Sequence, residues 1–351
     1  MRVLLLCTDA YGGYGGIALY NRDLAAALAS REDCEEVIVV PRVIPTTPRD
    51  IPPKVTFVAG AARGAVAYVA AAMRARRTKP DLVICGHLNL LPLACAITRA
   101  PLLMTYGIEA WKPLRRPFTT RLVHRCNAVV SISEITRDRF LAWSQYAGPA
   151  HLLPNAIHLD EYGIRPRRAD LVARYGLEGK RVLMTVGRLA AEERYKGFDE
   201  VLEVLAQLPD DVAYVIAGGG NDRARLERKA EQLGIANRVV FTGLFPEEEK
   251  RDLYALADVY VMPSRGEGFG YVFLEALASG VPAIGSKHDG GREALRHGEL
   301  GLLVDPSNPA EIEAAIRELL ARRERRIPAG LEYFSFEKFV ERLNAIVTSP
   351  A

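Results

Sequence analysis

An α/β fold of two tandem Rossmann-like domains facing across a cleft is what this sequence predicts, on three observations. The chain has 351 residues, more than one hydrophobic core serves at roughly 100–200 residues per domain. Short apolar, β-branched runs alternate with helical patterns along its length, the signature of a parallel sheet wrapped by helices. That rhythm breaks once, at the Pro- and Arg-rich stretch from Gly163 to Asp170, and then begins again.

In the first half the strand "VLLLC" precedes the helical "IALYNRDLAAALA". The strands "EVIVV" and "DLVIC" follow, the second leading into "LLPLACAI". Then come "PLLMTY" and "AVVSIS", the latter leading into "EITRDRFLAW". In the second half "RVLMTVG" precedes "GFDEVLEVLAQL", "VAYVIAG" precedes "DRARLERKAEQLG", "RVVFTG" precedes "EEKRDLYALA", and "DVYVMPS" precedes "YVFLEALASG". "VPAIGS" and "GLLVDP" close the series. The expected division is a first domain over 1–165, a second over 166–334, and a C-terminal helix over 335–351. That amphipathic last segment either caps the second domain or crosses back onto the first. Ligands of open α/β sheets bind outside the carboxyl ends of the strands, so function is expected in the cleft between the domains.

Composition narrows the classes further. Apolar residues are 49% and charged residues 25%, with 29 Gly and 21 Pro, which excludes a disordered or fibrous chain. The longest apolar runs fall short of the roughly 18 uncharged residues a membrane span needs. "MRVLLLC" reads as a first strand rather than a signal-peptide core. The five cysteines, Cys7, Cys34, Cys85, Cys95 and Cys126, form no C-x-x-C pair, so reduced thiols and a cytoplasmic location are expected. The net charge of +3 hides an asymmetry: residues 1–165 hold 20 Lys+Arg against 13 Asp+Glu, the remainder 26 against 30. Basic residues concentrate at Arg74 to Lys79 and at Lys112 to Arg125, the latter interleaved with Leu114, Phe118, Leu122 and Val123. Two readings stand, solvated helix faces or peripheral contact with anionic lipid headgroups. No helix-turn-helix, zinc-finger or RNA-recognition pattern supports a nucleic-acid partner.

Two segments concentrate chemistry. In "LMTVGRLAAEERYKGFDEVL" a strand ends at Gly187, Arg188 follows, and Lys196 precedes the Gly197 that opens a helix. Cations beside unpaired helix N–H groups make a diphosphate site; as surface ion-pair residues they would need no such placement. In "PSRGEGFGYVFLEALASG", Glu267 lies among glycines at a strand-to-helix turn and Glu275 sits inside an apolar helix. A carboxylate between Leu274 and Ala276 is costly to bury without hydrogen-bond donors, although the helix dipole offers a purely structural reason for it. The turn Gly266 to Gly270 frees backbone N–H groups that suit sugar hydroxyls and phosphate oxygens.

The arrangement "GR…KG…E-G-F-G-x-x-x-x-E" resembles the donor-binding half of glycosyltransferase family 4, retaining sugar-nucleotide transferases of the GT-B fold. The likeness extends to "GGYGGIALYNRDLAAALA", "VVSISEITRDRF", "LLPNAIHLDEY", "RVVFTGLFPEEEKRDLYALADVYVMPS" and "SGVPAIGSKHDGGREAL". The resemblance implies a nucleoside-diphosphate sugar, UDP- or GDP-linked, as donor substrate, with no further cofactor. Arg188 and Lys196 would neutralise the diphosphate beside Gly187, Glu275 would accept from the ribose hydroxyls and Glu267 from the sugar. The N–H groups of the Gly268, Phe269 and Gly270 turn would hold the sugar and phosphate edge. Gly15 and Gly16 would let the first domain approach the diphosphate; an ordinary strand-to-helix turn is the plainer alternative. The acceptor would be a sugar or a lipid-linked hydroxyl, as in glycan, polysaccharide or glycolipid biosynthesis.

One departure stands out. Where the family often carries His-Gly in the first domain, this chain has Tyr106-Gly107. His87, at another expected strand end, either faces the cleft or bonds a helix start, and His288 is a weaker choice in a loop. No Asp-x-Asp motif occurs, so Arg188 and Lys196 are expected to take the place of a metal ion. The expected reaction is hexose transfer with retention, its leaving group stabilised by these cations and loop N–H groups. The alternatives are an isomerase or phosphorylase of related fold, and a nucleotide-sugar-binding or partner subunit weakened in turnover at Tyr106.

Overall fold

The computed structural model describes residues 1–114, 117–322 and 324–348. The chain divides into two compact units, Met1–Ala156 with Phe336–Ala351, and Ile157–Ser335. Residues 157–165, attached above to the first domain, pack in the second unit, and the last helix packs in the first.

The first unit holds strands β1 (Arg2–Cys7), β2 (Glu36–Pro41), β3 (Val55–Phe57), β4 (Leu82–Cys85), β5 (Leu102–Thr105), β6 (Ala128–Ser131) and β7 (Ala150–Leu152). They form one sheet in the order β3-β2-β1-β4-β5-β6-β7, every pairing parallel. The second unit repeats the plan with β8 (Arg181–Val186), β9 (Val212–Ala217), β10 (Val239–Gly243), β11 (Val259–Val261), β12 (Ala283–Ser286) and β13 (Leu302–Val304), in the order β10-β9-β8-β11-β12-β13. Strand order reverses beside β1 and again beside β8, and each reversal leaves a crevice at the carboxyl edge of its sheet. Central strands are buried on both faces, which is why their sequences are continuous apolar runs rather than alternating ones.

Helix Gly16–Ala29 follows β1 and buries Ala18, Leu24, Ala25 and Leu28. Its Tyr20 is a junction. The hydroxyl donates to the Leu153 carbonyl at 2.9 Å. The ring meets Tyr106 and Phe339 edge-on, with centroids 5.3 and 5.5 Å away. Phe339 lies in the last helix, Phe336–Thr348, which Arg31 also holds by donating to Asn344 Oδ1 at 2.7 Å. The amphipathic period at the C-terminus therefore serves the core of the first unit. In the second unit Ile157 N–H donates to the Phe334 carbonyl at 2.7 Å, and Ile157 bridges Ser335 in parallel.

The five cysteines are free and buried, and burial pushes the Cys85 thiol up to about 12. Among the described residues no helix is long and apolar enough to cross a membrane.

Removing the Phe339 ring leaves Tyr20 facing a void. Phe339→Ala is expected to cost about 3–5 kcal/mol, as buried Phe-to-Ala changes do. The check is thermal unfolding, where a melting temperature within a degree of native would show that the helix does not depend on this contact.

Candidate active site

In the second unit the expected cations gather at the carboxyl edge of β8. Gly187 N–H extends the ladder to the Ala217 carbonyl at 3.0 Å, and Arg188 follows with its side chain 78% exposed. Lys196 is largely buried, its ammonium 3.6 Å from Glu193 Oε2 and 3.5 Å from Glu267 Oε2. Glu193 also accepts from the Arg188 guanidinium. Burial opposes the Lys196 charge, but the carboxylates around it, Glu267 first, outweigh this and hold the group above the ordinary lysine value. Two cations and two carboxylates thus share one site. Glu193, three residues before Lys196, escaped the sequence reading although it stands in "AEERYK".

The glycine turn is organised by a residue the sequence reading passed over. Asp289 is fully buried. Its Oδ2 accepts from the Ser264 hydroxyl at 2.6 Å and from Glu267 N–H at 2.8 Å, and its Oδ1 accepts from Gly291 N–H at 3.0 Å. Gly290 N–H donates back to the Glu267 carbonyl at 2.8 Å. The two segments approach so closely that a Cβ on Gly290 would lie 2.1 Å from the Gly268 carbonyl oxygen. Gly270, at φ +88°, turns the chain into helix Tyr271–Ala278. The N–H groups of Gly268, Phe269 and Gly270 have no hydrogen-bond partner among the described residues, while the Phe269 ring is buried edge-on to Phe334. The turn therefore presents amides beside Glu267 and Lys196, an arrangement suited to phosphate and hydroxyl oxygens.

Glu275 is only 2% exposed, and its carboxylate is already engaged. Oε1 accepts from Lys250 Nζ at 2.9 Å and from the Tyr162 hydroxyl at 3.2 Å; Oε2 accepts from the Tyr254 hydroxyl at 2.8 Å. Burial disfavours the Lys250 charge, yet Glu275 and Glu247 overcome it and raise the ammonium's pKa. The donors demanded by a buried carboxylate inside an apolar helix are present, and they come from elsewhere in the unit. A carboxylate offers about four acceptor positions, so about one remains for an incoming hydroxyl. Leu244, at the end of β10, stands 88% exposed at the same carboxyl edge and was also missed.

In the first unit Gly15, at φ +86°, starts helix Gly16–Ala29, and a Cβ on Gly15 or Gly16 would meet nothing within 4 Å. Backbone conformation rather than crowding calls for glycine at Gly15. His87 Nδ1 accepts from Asn89 N–H at 3.0 Å, which is the helix-start role, and burial lowers its pKa and keeps the ring neutral. Tyr106 is 5% exposed, its hydroxyl donating to Asn21 Oδ1 at 2.8 Å. Tyr106 N–H and Gly107 N–H both donate to Glu109 Oε1, at 2.5 and 3.1 Å. His288 is exposed, 3.5 Å from Asp305 Oδ1. In the basic stretch from Lys112 to Arg125, Arg115 and Arg116 lie outside the described residues. Leu122 and Val123 are buried and Leu114 packs against the core, so they are not surface groups.

Comparison with known proteins shows the family and the fold. Residues 14–161 match the model of Glycosyltransferase Family 4 and residues 168–328 that of Glycosyl transferases group 1. A GDP-mannose-dependent alpha-(1-6)-phosphatidylinositol monomannoside mannosyltransferase of Mycolicibacterium smegmatis is 34% identical over 65% of this chain and 62% of its own. The match therefore spans about three fifths of that relative. A phosphatidyl-myo-inositol mannosyltransferase of Mycobacterium leprae is 27% identical over 95% of this chain and 91% of its own. The structure of HepE from Anabaena with UDP and glucose superposes with a TM-score of 0.78 at 19% identity, covering 100% of both chains.

Asp289 makes a pH prediction. Burial pushes its carboxyl up to about 6 despite the donors around it. The folded state therefore holds this proton more tightly than the unfolded chain. Its contribution to stability is present below the ordinary carboxyl value near 4 and is lost as pH rises through about 6. Relative to Asp289→Asn, the native chain should lose about 2 kcal/mol between pH 4 and 7. Denaturant melts of both proteins at the two pH values test this, and a constant difference between them would contradict it.

Proposed function

The chain belongs to the GT-B glycosyltransferases of the family 4 type, and from that premise we propose that it transfers a hexose from a nucleoside-diphosphate sugar to an acceptor hydroxyl, with retention and without a metal ion. The observation that carries the proposal is the pairing of Lys196 and Glu267 beside three unpartnered amides, Gly268 to Gly270, at one strand-carboxyl edge. Lys196 would meet the diphosphate in place of a carboxylate, with exposed Arg188 as a second, mobile-chain cation. Glu267, released from Lys196, would accept from sugar hydroxyls. Glu275 would take a ribose hydroxyl at its remaining acceptor position, with Lys250 and Tyr254 holding it in place. Leu244 offers an apolar surface to a base.

As the sugar leaves, negative charge grows on the diphosphate. Fixed donors aimed at that charge lower the barrier more than they strengthen ground-state binding. Front-face attack by the acceptor, with the departing phosphate taking its proton, requires no protein nucleophile and suits the family's retention. The GDP-mannose dependence of the Mycolicibacterium smegmatis relative makes GDP-mannose the first donor to test, and the phosphatidylinositol acceptors named for both relatives make an inositol-bearing lipid the first acceptor. The observation favouring a weakened, donor-binding subunit is the buried Tyr106, which offers no group to a reacting sugar.

The decisive experiment incubates the chain with GDP-mannose, UDP-glucose and UDP-N-acetylglucosamine, with and without phosphatidylinositol or inositol phosphate, and follows glycoside formation and nucleotide release. Activity should persist in excess EDTA, whereas complete loss restored by magnesium would reject the metal-free mechanism. Lys196→Ala should lower kcat by about 10²–10³, the usual cost of one donor at a developing anion. A rise in KM at unchanged kcat would instead make Lys196 a binding residue only.

A lipid-linked acceptor would bring the enzyme to an anionic bilayer. Arg74, Arg76, Arg77 and Lys79 are exposed at the end of helix Ala65–Ala75, whose Val66 is 85% and Val69 47% exposed. Each cation near such a surface adds about 1 kcal/mol, screened by salt. The native chain should sediment with phosphatidylglycerol vesicles at low salt, and Arg74→Ser with Arg76→Ser and Arg77→Ser should abolish this. Equal pelleting of the variant would assign the segment to solvent.

A further inference from the structure

The role of the tyrosine standing at the family's histidine position follows from where its hydroxyl goes. Tyr106 directly follows β5, with its ring packed edge-on against Tyr20, which also meets Phe339 edge-on. The hydroxyl is buried and donates to Asn21 Oδ1 at 2.8 Å. Asn21, itself fully buried one turn into helix Gly16–Ala29, donates through Nδ2 to the Asp9 carbonyl at 2.8 Å. Asp9 opens the loop that runs through Gly12 and Gly13 to Gly15. A second tether lies farther along: Thr46 donates through both N–H and Oγ1 to the Gly12 carbonyl, at 3.0 and 2.9 Å. Beyond it, Gly15 and Gly16 have open space around them. The bonds to Asp9 and Gly12 hold the loop behind these two glycines, and the Leu19 N–H, donating to the Gly15 carbonyl at 3.1 Å, holds it ahead.

We propose that Tyr106 and Asn21 are positioning residues of this glycine loop, holding the Gly15 and Gly16 amides in place for a diphosphate without touching it; this rests on the donor role proposed above for the loop. A buried side-chain pair of this kind adds little net stability, because both groups were hydrogen-bonded to water in the unfolded chain. Its effect is to select one arrangement of the segments it joins, since an alternative loop path leaves Asn21 with unmet polar groups in the core. The Glu109 carboxylate extends the same control to the Tyr106 and Gly107 amides.

Tyr106→Phe tests the proposal because it keeps the ring and its contacts with Tyr20 and removes only the hydroxyl. Two measurements on the full chain are needed. Hydrogen exchange in the peptide covering 9–19 should quicken in the variant, while β4 and β5 keep native protection. Nucleotide release from GDP-mannose, UDP-glucose and UDP-N-acetylglucosamine should fall about 2- to 10-fold in kcat, the worth of one hydrogen bond, with KM changed less. Asn21→Ala should behave alike, and the double variant should be no worse than the poorer single one, since both break the same chain.

Unchanged exchange in Tyr106→Phe overturns the proposal. So does a loosened loop with native kcat and KM, which would leave the pair a purely structural role, and so does a double variant that loses the product of the single effects. A native chain that neither binds nor cleaves any of the three nucleotide sugars overturns the donor role of the loop and this inference with it. A native chain that does, beside an indistinguishable Tyr106→Phe, overturns this inference alone.

Discussion

Asp289 accepts three hydrogen bonds with a carboxylate that has no exposed surface, from the Ser264 hydroxyl and from the amides of Glu267 and Gly291. The bonds from Ser264 and Glu267 join the segment after β11 to the segment after β12, and the contact is so close that only glycine fits at Gly290. With its start held at Glu267, the turn delivers the amides of Gly268 to Gly270 to one side. Helix Tyr271–Ala278 then begins from a left-handed Gly270, and the placement of Glu275 along it follows. Burial of a carboxylate is costly, and here donors rather than a neighbouring cation offset part of that cost.

The ionic groups around this turn follow a different logic. Lys196 and Lys250 are both largely buried, and each keeps its charge because carboxylates flank it: Glu193 and Glu267 in one case, Glu247 and Glu275 in the other. Neither lysine is a free surface cation. On the proposed donor role, a phosphate arriving at Lys196 would exchange one anionic partner for another, which would limit ground-state attraction and reserve the stronger interaction for a leaving group whose charge is growing. Arg188 is exposed, and its one ion pair among the described residues is with Glu193.

In the first unit the equivalent organising role belongs to Tyr20 and its neighbours. Its ring receives Phe339 from the last helix and Tyr106 from the end of β5, and its hydroxyl holds the Leu153 carbonyl. Tyr106 is thereby a member of the core. Its hydroxyl donates to Asn21, whose amide donates in turn to the Asp9 carbonyl at the start of the glycine loop.

Much of this was legible in the residues themselves. The strands "VLLLC", "EVIVV", "RVLMTVG" and "VAYVIAG" are continuous apolar runs because central parallel strands are buried on both faces. The left-handed glycines and the cations next to them mark strand-to-helix turns that local backbone sterics alone require. The edge strands Val55–Phe57 and Ala150–Leu152 left no such mark, being three residues long and only partly buried. The sequence by itself determined the two-sheet α/β plan and the segments where chemistry collects, since periodicity and turn residues are local properties. Only the tertiary structure decided that Asp289 anchors Glu267, that Lys250 and Tyr162 engage Glu275, and that Tyr106 turns its hydroxyl to Asn21. Each of those pairings joins residues at least 22 positions apart. Hydrogen bonds and desolvation act through space, and no local pattern records which distant donor a buried carboxylate or hydroxyl will meet.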